Sequence, residues 1–364
     1  MQNKASPPDP AHDELTKADQ AHLWHPFTSM NLWLEQKPLV IVRAEGQELV
    51  DEQGRHYLDG VSSLWCNVHG HNRPEINEAI TRQLKHVAHT TLLGLTHRPA
   101  IELATRLAHI SPPKLTRVFY SDAGATAVEA ALKMALQYWQ MAGLTTKTRF
   151  ASLADAYHGD TLGAVGVGYS HFFHHFFEAV LPDTLRLTPP HLLRWRDGMT
   201  HSEALEHAIA EADRVITSES KNLAAIIVEP LMQGAAGMWP HPPAYLRALR
   251  DITTRENVLL ICDEVATGFG RTGTMFASQQ ANISPDLMCL AKGITGGYLP
   301  LAATLTTNPI YEAFLGTPQE GKTFFHGHTY TGNPLACAAA LASLDLFESD
   351  QTLKHLDLII PSLE

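Results

Sequence analysis

The chain has 364 residues, a formal net charge of −11, 45% hydrophobic residues and 18% charged residues. That length supports one large domain or two domains with a substantial core. The composition is that of a globular protein, and the negative balance excludes the basic footprint of a nucleic-acid binder.

No uncharged apolar run reaches the roughly 20 residues that a bilayer-spanning helix needs, so no membrane association is expected. Residues 1–20 carry Pro, Asp, Lys and His without an apolar core. That excludes a secretory signal and predicts a loose tail. The four cysteines, Cys66, Cys262, Cys289 and Cys337, show no CxxC spacing. They point to a reducing cytoplasm rather than a disulfide framework or a zinc site.

From Leu39 to Gly60, "LVIVRAEGQELVDEQGRHYLDG" alternates and carries the turn signal "DEQGR". This predicts a small antiparallel hairpin module. Five short apolar runs with polar or acidic ends follow, at Thr116–Asp122, Arg149–Ala156, Ala224–Pro230, Val258–Glu264 and Leu287–Lys292. Such runs read as buried parallel strands. Between them, "TAVEAALKMALQYW" puts Val128, Ala131, Leu132, Ala135, Leu136 and Trp139 on one stripe, and "PAYLRALRDITTREN" starts on proline. Both predict helices. Strands alternating with helices predict an α/β fold with a mostly parallel central sheet. Ligands of such sheets collect beyond the carboxyl ends of the strands. That rule selects Ser121, Asp122, Tyr157, His158, Glu229, Asp263, Glu264 and Lys292.

Three patterns are set aside. "GAVGVG" at Gly163–Gly168 has its glycines in the wrong order for a dinucleotide turn and predicts a strand or loop of small residues. "HFFHH", with His171, His174 and His175, reads as an aromatic-flanked helix or loop surface, and no metal is expected there. "GTPQEGKT" at Gly316–Thr323 matches a P-loop by its letters, but it follows the helical "NPIYEAF" instead of a strand.

Three features carry chemistry. Around Gly124 a strand ends and a helix begins near Thr126, where unpaired N–H groups can hold a phosphate. An ordinary strand–helix connection explains that turn equally well by itself. Asp263 closes a buried strand, and a metal ligand, a structural acceptor and the partner of a protonated heterocycle are all open to it. Lys292 follows an apolar run and precedes "GITGG". Desolvation depresses a lysine pKa by up to about 3–5 units, and a neutral amine is what Schiff-base chemistry requires. A cradle, a carboxylate and an amine together suit the phosphate, the ring nitrogen and the aldehyde of pyridoxal 5′-phosphate (PLP).

"HGDT", "DEVATGFGRTG", "AKGITGG" and "HGHTYTGNPLACAAA" resemble the class III aminotransferases, which are PLP-dependent transferases of fold type I. The resemblance runs from about Leu23 to the C-terminus. "HLWHPFTSM", "SSLWCNVHGH", "THRPAIELA", "ALKMALQYW" and "YHGDTLGAV" are most similar to the branch that aminates 8-amino-7-oxononanoate (KAPA) to 7,8-diaminononanoate in biotin synthesis.

The resemblance implies a catalytic, cofactor-anchoring Lys292 and an Asp263 that pairs with the pyridine nitrogen. It implies a phosphate turn at Gly124 and Ala125, and a Tyr157 that covers the cofactor and lines the substrate pocket. Gly327, His328 and Thr329 match a segment whose Thr reaches the phosphate of the neighbouring subunit, which implies a homodimer with shared sites. Phe27, Leu64 and Trp65 match the substrate entrance. It also implies a domain plan: a tail over 1–20, the N-terminal part of a small domain over 21–75, a large PLP-binding domain over 76–345, and the start of a C-terminal small domain over 346–364.

Four departures stand out. Ala occupies positions 123 and 125, where the family often has a Ser. Phe27 replaces a common Tyr, and Leu64 a common Trp. The usual amino donor of this branch is S-adenosylmethionine. Losing two aromatic or hydroxyl contacts, together with "TLLGLTH", "PKLTRVFYSD" and "TFFHGH", favours the lysine-using branch. Finally, the chain stops at Glu364, before the segment in which the family carries its carboxylate-binding arginine, so a truncated chain is expected. Two other readings stay open: a general ω-amino acid or diamine aminotransferase, and a non-catalytic PLP-binding fragment.

Overall fold

The computed structural model describes residues 10–191 and 198–363, and these fall into two compact units. The first comprises the residues up to Ser63 together with Gly70–Arg73. It holds helices α1 (Pro10–His22) and α2 (Met30–Leu34) and a three-stranded antiparallel sheet of β1 (Ile41–Glu45), β2 (Glu48–Asp51) and β3 (His56–Leu58). The sheet matches the hairpin module read from the alternation. Asp51 fixes its turn: Oδ1 accepts the N–H groups of Gln53 and Arg55, and Oδ2 accepts from Arg55 and Tyr57. The helix at Pro10–His22 departs from the expected loose tail. Asp19 ties its end down by accepting from Trp33 Nε1 at 2.7 Å and contacting His25 at 2.9 Å. Residues 1–9 lie outside the described residues.

A four-residue turn, α3 (Ser62–Trp65), follows with φ of 51°, 48°, 70° and 67°, a left-handed coil. Each such residue costs roughly 1–2 kcal/mol.

The second unit is built on a seven-stranded sheet. Its strands are β4 (Leu115–Ser121), β5 (Arg149–Leu153), β6 (Thr184–Leu187), β7 (Leu223–Val228), β10 (Leu259–Asp263), β11 (Leu287–Leu290) and β12 (Ala302–Thr307). A short ribbon of β8 (Met232–Gln233) and β9 (Trp239–Pro240) lies apart from it. The order is β4-β12-β11-β10-β7-β5-β6, and β12 runs antiparallel to both neighbours. All of β7, β10 and β11 is buried. That is why these segments read as continuous apolar runs.

The helices of this unit are α4 (Pro74–Leu84), α5 (Arg98–Ile110), α6 (Gly124–Met141), α7 (Leu162–Val167), α8 (His171–His174), α9 (His201–Glu219), α10 (Pro243–Arg255), α11 (Asn308–Ala313), α12 (Pro334–Ser349) and α13 (Thr352–Ile359). Helix α6 lays Ala127, Val128, Ala131 and Ala135 against Ala225, Ile227, Ile261 and Cys289. Its alanines let the backbone approach the sheet closely. Leu103 and Leu107 of α5 and Cys337 and Ala340 of α12 cover Met288, Leu290 and Leu305. Ala212 and Ile216 of α9 and Leu246 and Leu249 of α10 cover Ile226, Val228 and Leu260. Each large side chain buried this way contributes about 1.5–3 kcal/mol.

"GAVGVG" falls in α7, not in the expected strand or loop. Glu129 on α6 explains the change, because its Oε1 accepts the N–H groups of Gly163 (2.7 Å) and Ala164 (3.1 Å) and so caps the helix. The P-loop lookalike follows α11, and Thr317–Glu320 closes as a tight turn through Thr317 N–H to Glu320 Oε2. No helix among the described residues is long and apolar enough to cross a membrane.

Candidate active site

Lys292 leaves β11 in a left-handed conformation, φ 48°, at the start of a 3₁₀ turn. This directs its side chain beyond the strand ends, where Nζ lies 4.6 Å from the Trp65 ring centroid. That contact is a cation–π pair. Burial depresses the Lys292 pKa; the charges of Asp263, Glu229 and Cys66 pull it back up, and Arg271 pushes it further down.

Asp263 ends β10, and its carboxylate is almost fully buried. Oδ1 accepts the N–H of Val265 at 3.0 Å, and Oδ2 lies 2.7 Å from His158 Nδ1. Glu229, just past β7, is also buried. Its Oε1 accepts the N–H of Gly234 at 2.9 Å and its Oε2 that of Tyr157 at 3.3 Å. Burial pushes its carboxyl up to about 7, against the attraction of His158 and with the repulsion of Asp263. The Tyr157 hydroxyl donates to Asp160 at 2.7 Å, and burial raises its pKa further above the ordinary phenol value.

The third component is the start of α6. The helix begins at Gly124, two residues before the expected Thr126, because Thr126 Oγ1 accepts the Ala123 N–H at 3.0 Å and ends the strand connection early. The N–H groups of Gly124, Ala125 and Thr126 have no carbonyl a turn earlier inside the helix, and no side chain of the N-cap residue meets them. A Cβ on Gly124 would stand 2.6 Å from Val265 Cγ1. The helix start is therefore packed directly on the residue that holds Asp263. Gly159, at φ 117°, lies against Ala125, where a Cβ would meet the alanine methyl at 2.4 Å.

Lys292, Asp263, Tyr157, Gly124, Ala125 and Trp65 thus belong to one cluster at the carboxyl ends of the strands. Trp65 also lies along Gly234, 3.3 Å from where a Cβ would stand. The Gly327–Thr329 segment borders the α6 start through His328, whose Nδ1 is 4.0 Å from Asp122 Oδ1, while Gly327 and Thr329 are exposed. Leu64 is exposed, and Phe27 is an exposed residue of the first unit at φ 51°.

Glu264 stands apart with a structural task. Its carboxylate accepts from Thr267 Oγ1 and the N–H groups of Ala277 and Ser278. Ser121 contributes only a long contact to the Thr126 carbonyl. Sequence reading missed Asp160 and Cys66 as neighbours. Asp160 lies inside the quoted "HGDT", and Cys66 directly follows Trp65, so their motifs were in view.

The family model described as Aminotransferase class-III matches residues 30–363. The chain is 54% identical over 344 residues to the adenosylmethionine-8-amino-7-oxononanoate aminotransferase of Nitratidesulfovibrio vulgaris, covering 94% of this chain and 64% of that protein. It is 51% identical to the protein of the same name from Geobacter sulfurreducens, covering 96% and 77%. A solved structure of the protein of that name from Methanocaldococcus jannaschii superposes with a TM-score of 0.88 at 44% identity, covering 94% of this chain and 76% of that one. The chain therefore spans between about two thirds and three quarters of the length of these relatives.

Proposed function

The chain belongs to the class III aminotransferases, and from that premise we propose that it uses PLP to transfer an amino group to the ketone of KAPA, giving 7,8-diaminononanoate. The observation that carries this is the convergence of a desolvated amine, a buried carboxylate and a helix N-terminus at one edge of the sheet.

The residues fit the cofactor. The N–H groups at the start of α6 suit its phosphate. Asp263 suits its protonated ring nitrogen and Lys292 its aldehyde carbon, and Tyr157 and Trp65 suit its ring. When bound, PLP supplies an electron sink for the carbanion formed beside the transferred amine. The chain supplies the rest. The depressed pKa of Lys292 raises its neutral fraction, which is the form that bonds to a carbonyl carbon and that takes up and returns a proton. Asp263, accepting two hydrogen bonds, is held as a fixed negative partner. Trp65 shields the amine from water on one side.

We propose S-adenosylmethionine as the donor because the relatives carry it in their names. Lysine is the second reading, favoured by Phe27 and Leu64 where the resemblance led us to expect Tyr and Trp. Single-turnover amination of the bound cofactor with each donor decides between them. We further propose that the protein acts in the cytoplasm as a homodimer, with the exposed Gly327–Thr329 segment reaching the partner's site. Light scattering of the purified chain tests the dimer.

The deciding experiment for the function is to load the chain with PLP, supply S-adenosylmethionine or lysine as amino donor, and offer KAPA, pyruvate or 2-oxoglutarate as acceptor. A visible absorbance band with turnover on KAPA supports the proposal. Turnover only on the 2-oxo acids indicates a general ω-aminotransferase, and a band without turnover indicates a non-catalytic PLP-binding chain.

A further inference from the structure

Helix α8 and the 3₁₀ turn that follows it carry four phenylalanines that face solvent: Phe172, Phe173, Phe176 and Phe177. Phe172 is 84% exposed and Phe173 41%. So many exposed rings in one short stretch need a reason. Their place in the fold supplies one. Gly168, at the end of α7, lies so close to the Tyr157–His158 backbone that a Cβ there would stand 2.5 Å from His158 N and 3.2 Å from Tyr157 C. Helix α8 begins three residues later, so the aromatic stretch starts against the segment that carries Tyr157.

The stretch is also fastened from within. His174 is buried, unlike the phenylalanines around it. Its Nδ1 accepts the Ser170 N–H at 3.0 Å, so the proton of the neutral ring sits on Nε2. That nitrogen lies 3.8 Å from Asp160 Oδ1, and Asp160 Oδ2 accepts from the Tyr157 hydroxyl. Tyr169 donates to Glu178 Oε1, and His175 Nδ1 lies 3.0 Å from the His171 carbonyl. The turn is therefore a fixed lip beside Tyr157 and Asp160.

Two rings stand on that lip. The Phe173 centroid is 5.9 Å from that of His174 and 5.1 Å from that of Phe172, which meets it edge-on at 78°. The half-exposed carboxylate of Asp160 stands beside the same imidazole. An aromatic surface next to a negative charge suits a ligand with a flat ring and a positive charge. A stacked nucleobase gains more from an aromatic face than a hydrated ammonium does. Lysine therefore uses such a lip poorly, and KAPA has no ring to place on it. S-adenosylmethionine has both features. Three carbons separate its amine from a sulfonium, and the adenosyl group is attached to that sulfonium.

We propose that Phe173, backed by Phe172, is a specificity-determining residue for the amino donor: it receives the adenine ring of S-adenosylmethionine while the donor's amine reaches the cofactor. The inference rests on the transaminase reading above and deepens it by separating the two half-reactions. The lip acts when the donor is bound, and not when KAPA is.

Single-turnover absorbance of the PLP-loaded full chain tests this, one half-reaction at a time. Phe173→Leu keeps an apolar side chain and removes the ring. It is expected to raise the half-saturating concentration of S-adenosylmethionine about tenfold, the scale of one lost base–aromatic stack. The limiting rate at saturation, the half-saturation by lysine and the KAPA reaction of the aminated enzyme should each stay within about twofold of wild type. Phe173→Trp, which restores a ring, should recover most of the loss. An equal loss for S-adenosylmethionine and KAPA makes Phe173 a general pocket wall and overturns the proposal. Unchanged saturation by S-adenosylmethionine also overturns it, and a shift from dimer to monomer in that case assigns the rings to a second copy of the chain. If Phe173→Leu does not fold, wild type decides. S-methylmethionine, which has a methyl in place of the adenosyl group, should need about tenfold more than S-adenosylmethionine to saturate, and equal saturation overturns the proposal. A wild-type chain aminated by lysine and not by S-adenosylmethionine overturns it while leaving the transaminase reading in place. A chain that forms no cofactor band overturns both.

Discussion

Two lysines stand at opposite ends of the central strands: Lys147, buried, at the amino ends of β5, β7 and β10, and Lys292, half-buried, past the carboxyl end of β11. At their amino ends, Lys147 donates to the carbonyls of Ser220 (2.5 Å), Leu223 (3.1 Å) and Asn257 (2.8 Å), and lies 4.7 Å from the Trp139 ring. At their carboxyl ends, Lys292 lies 4.6 Å from the Trp65 ring and makes no hydrogen bond among the described residues. Burial lowers the pKa of both. The difference is in the partners. Three carbonyls satisfy all three donors of the Lys147 ammonium, so that end of the sheet is closed by a structural cation. Lys292 has an aromatic face and two carboxylates at longer range, an arrangement that leaves its amine available. Burial alone does not make a lysine reactive; burial with unmet donors does.

The comparison breaks first at Lys292→Ala. This variant should abolish the visible cofactor band and lower transamination at least about 10³-fold, with little loss of thermal stability because no hydrogen bond is removed. Lys147→Met should do the reverse. The cofactor band persists, and urea unfolding shows a loss of about 3 kcal/mol as carbonyls are left unmet. A variant that lost the band without losing stability would put Lys147 in the site and end the contrast.

Glu229 sharpens the comparison through pH. Its folded-state pKa, raised to about 7 from 4.5, lies above the unfolded value. The folded chain therefore holds a proton that the unfolded chain has released across that window. The stability this contributes is complete at the acid side and is lost as pH rises through it. Glu229→Gln should remove a difference on the order of 3 kcal/mol between the two ends of the window, measured as wild type minus variant in denaturant melts. The smallest effect is expected from Gly124→Ala. The added methyl would press on Val265 and weaken PLP binding about tenfold by disturbing the helix start, an overpacking cost of about 1–2 kcal/mol.

The parts of the fold that could be read from the chain are those whose burial is two-sided. "AAIIV" and "LMCL" have no solvent face, so their composition gives them away. Strand β12 was not legible because it carries Thr304, Thr306 and Thr307 in a run that resembles a loop. In the structure Thr304 donates to the Ala127 carbonyl at 2.8 Å and Thr306 to that of Asp286 at 3.2 Å, which makes a polar strand tolerable inside. Strand β6 was hidden by Arg186, whose guanidinium is consumed by the carbonyls of Gly166 and Val167 and by Ser152.

Lys292, Asp263 and the Gly124 turn were legible as candidates because each is an odd residue for its surroundings: an amine, an acid and a glycine at the ends of apolar runs. The sequence by itself determined that list of chemistries and the family they resemble. Only the tertiary structure decided how they are wired. It placed His158 across β7 onto Asp263, turned Glu229 toward backbone N–H groups, and gave Lys147 the three carbonyls that Lys292 lacks. Local sequence cannot carry that information, because hydrogen-bond partners separated by 70 to 110 residues are chosen by the order of strands in the sheet.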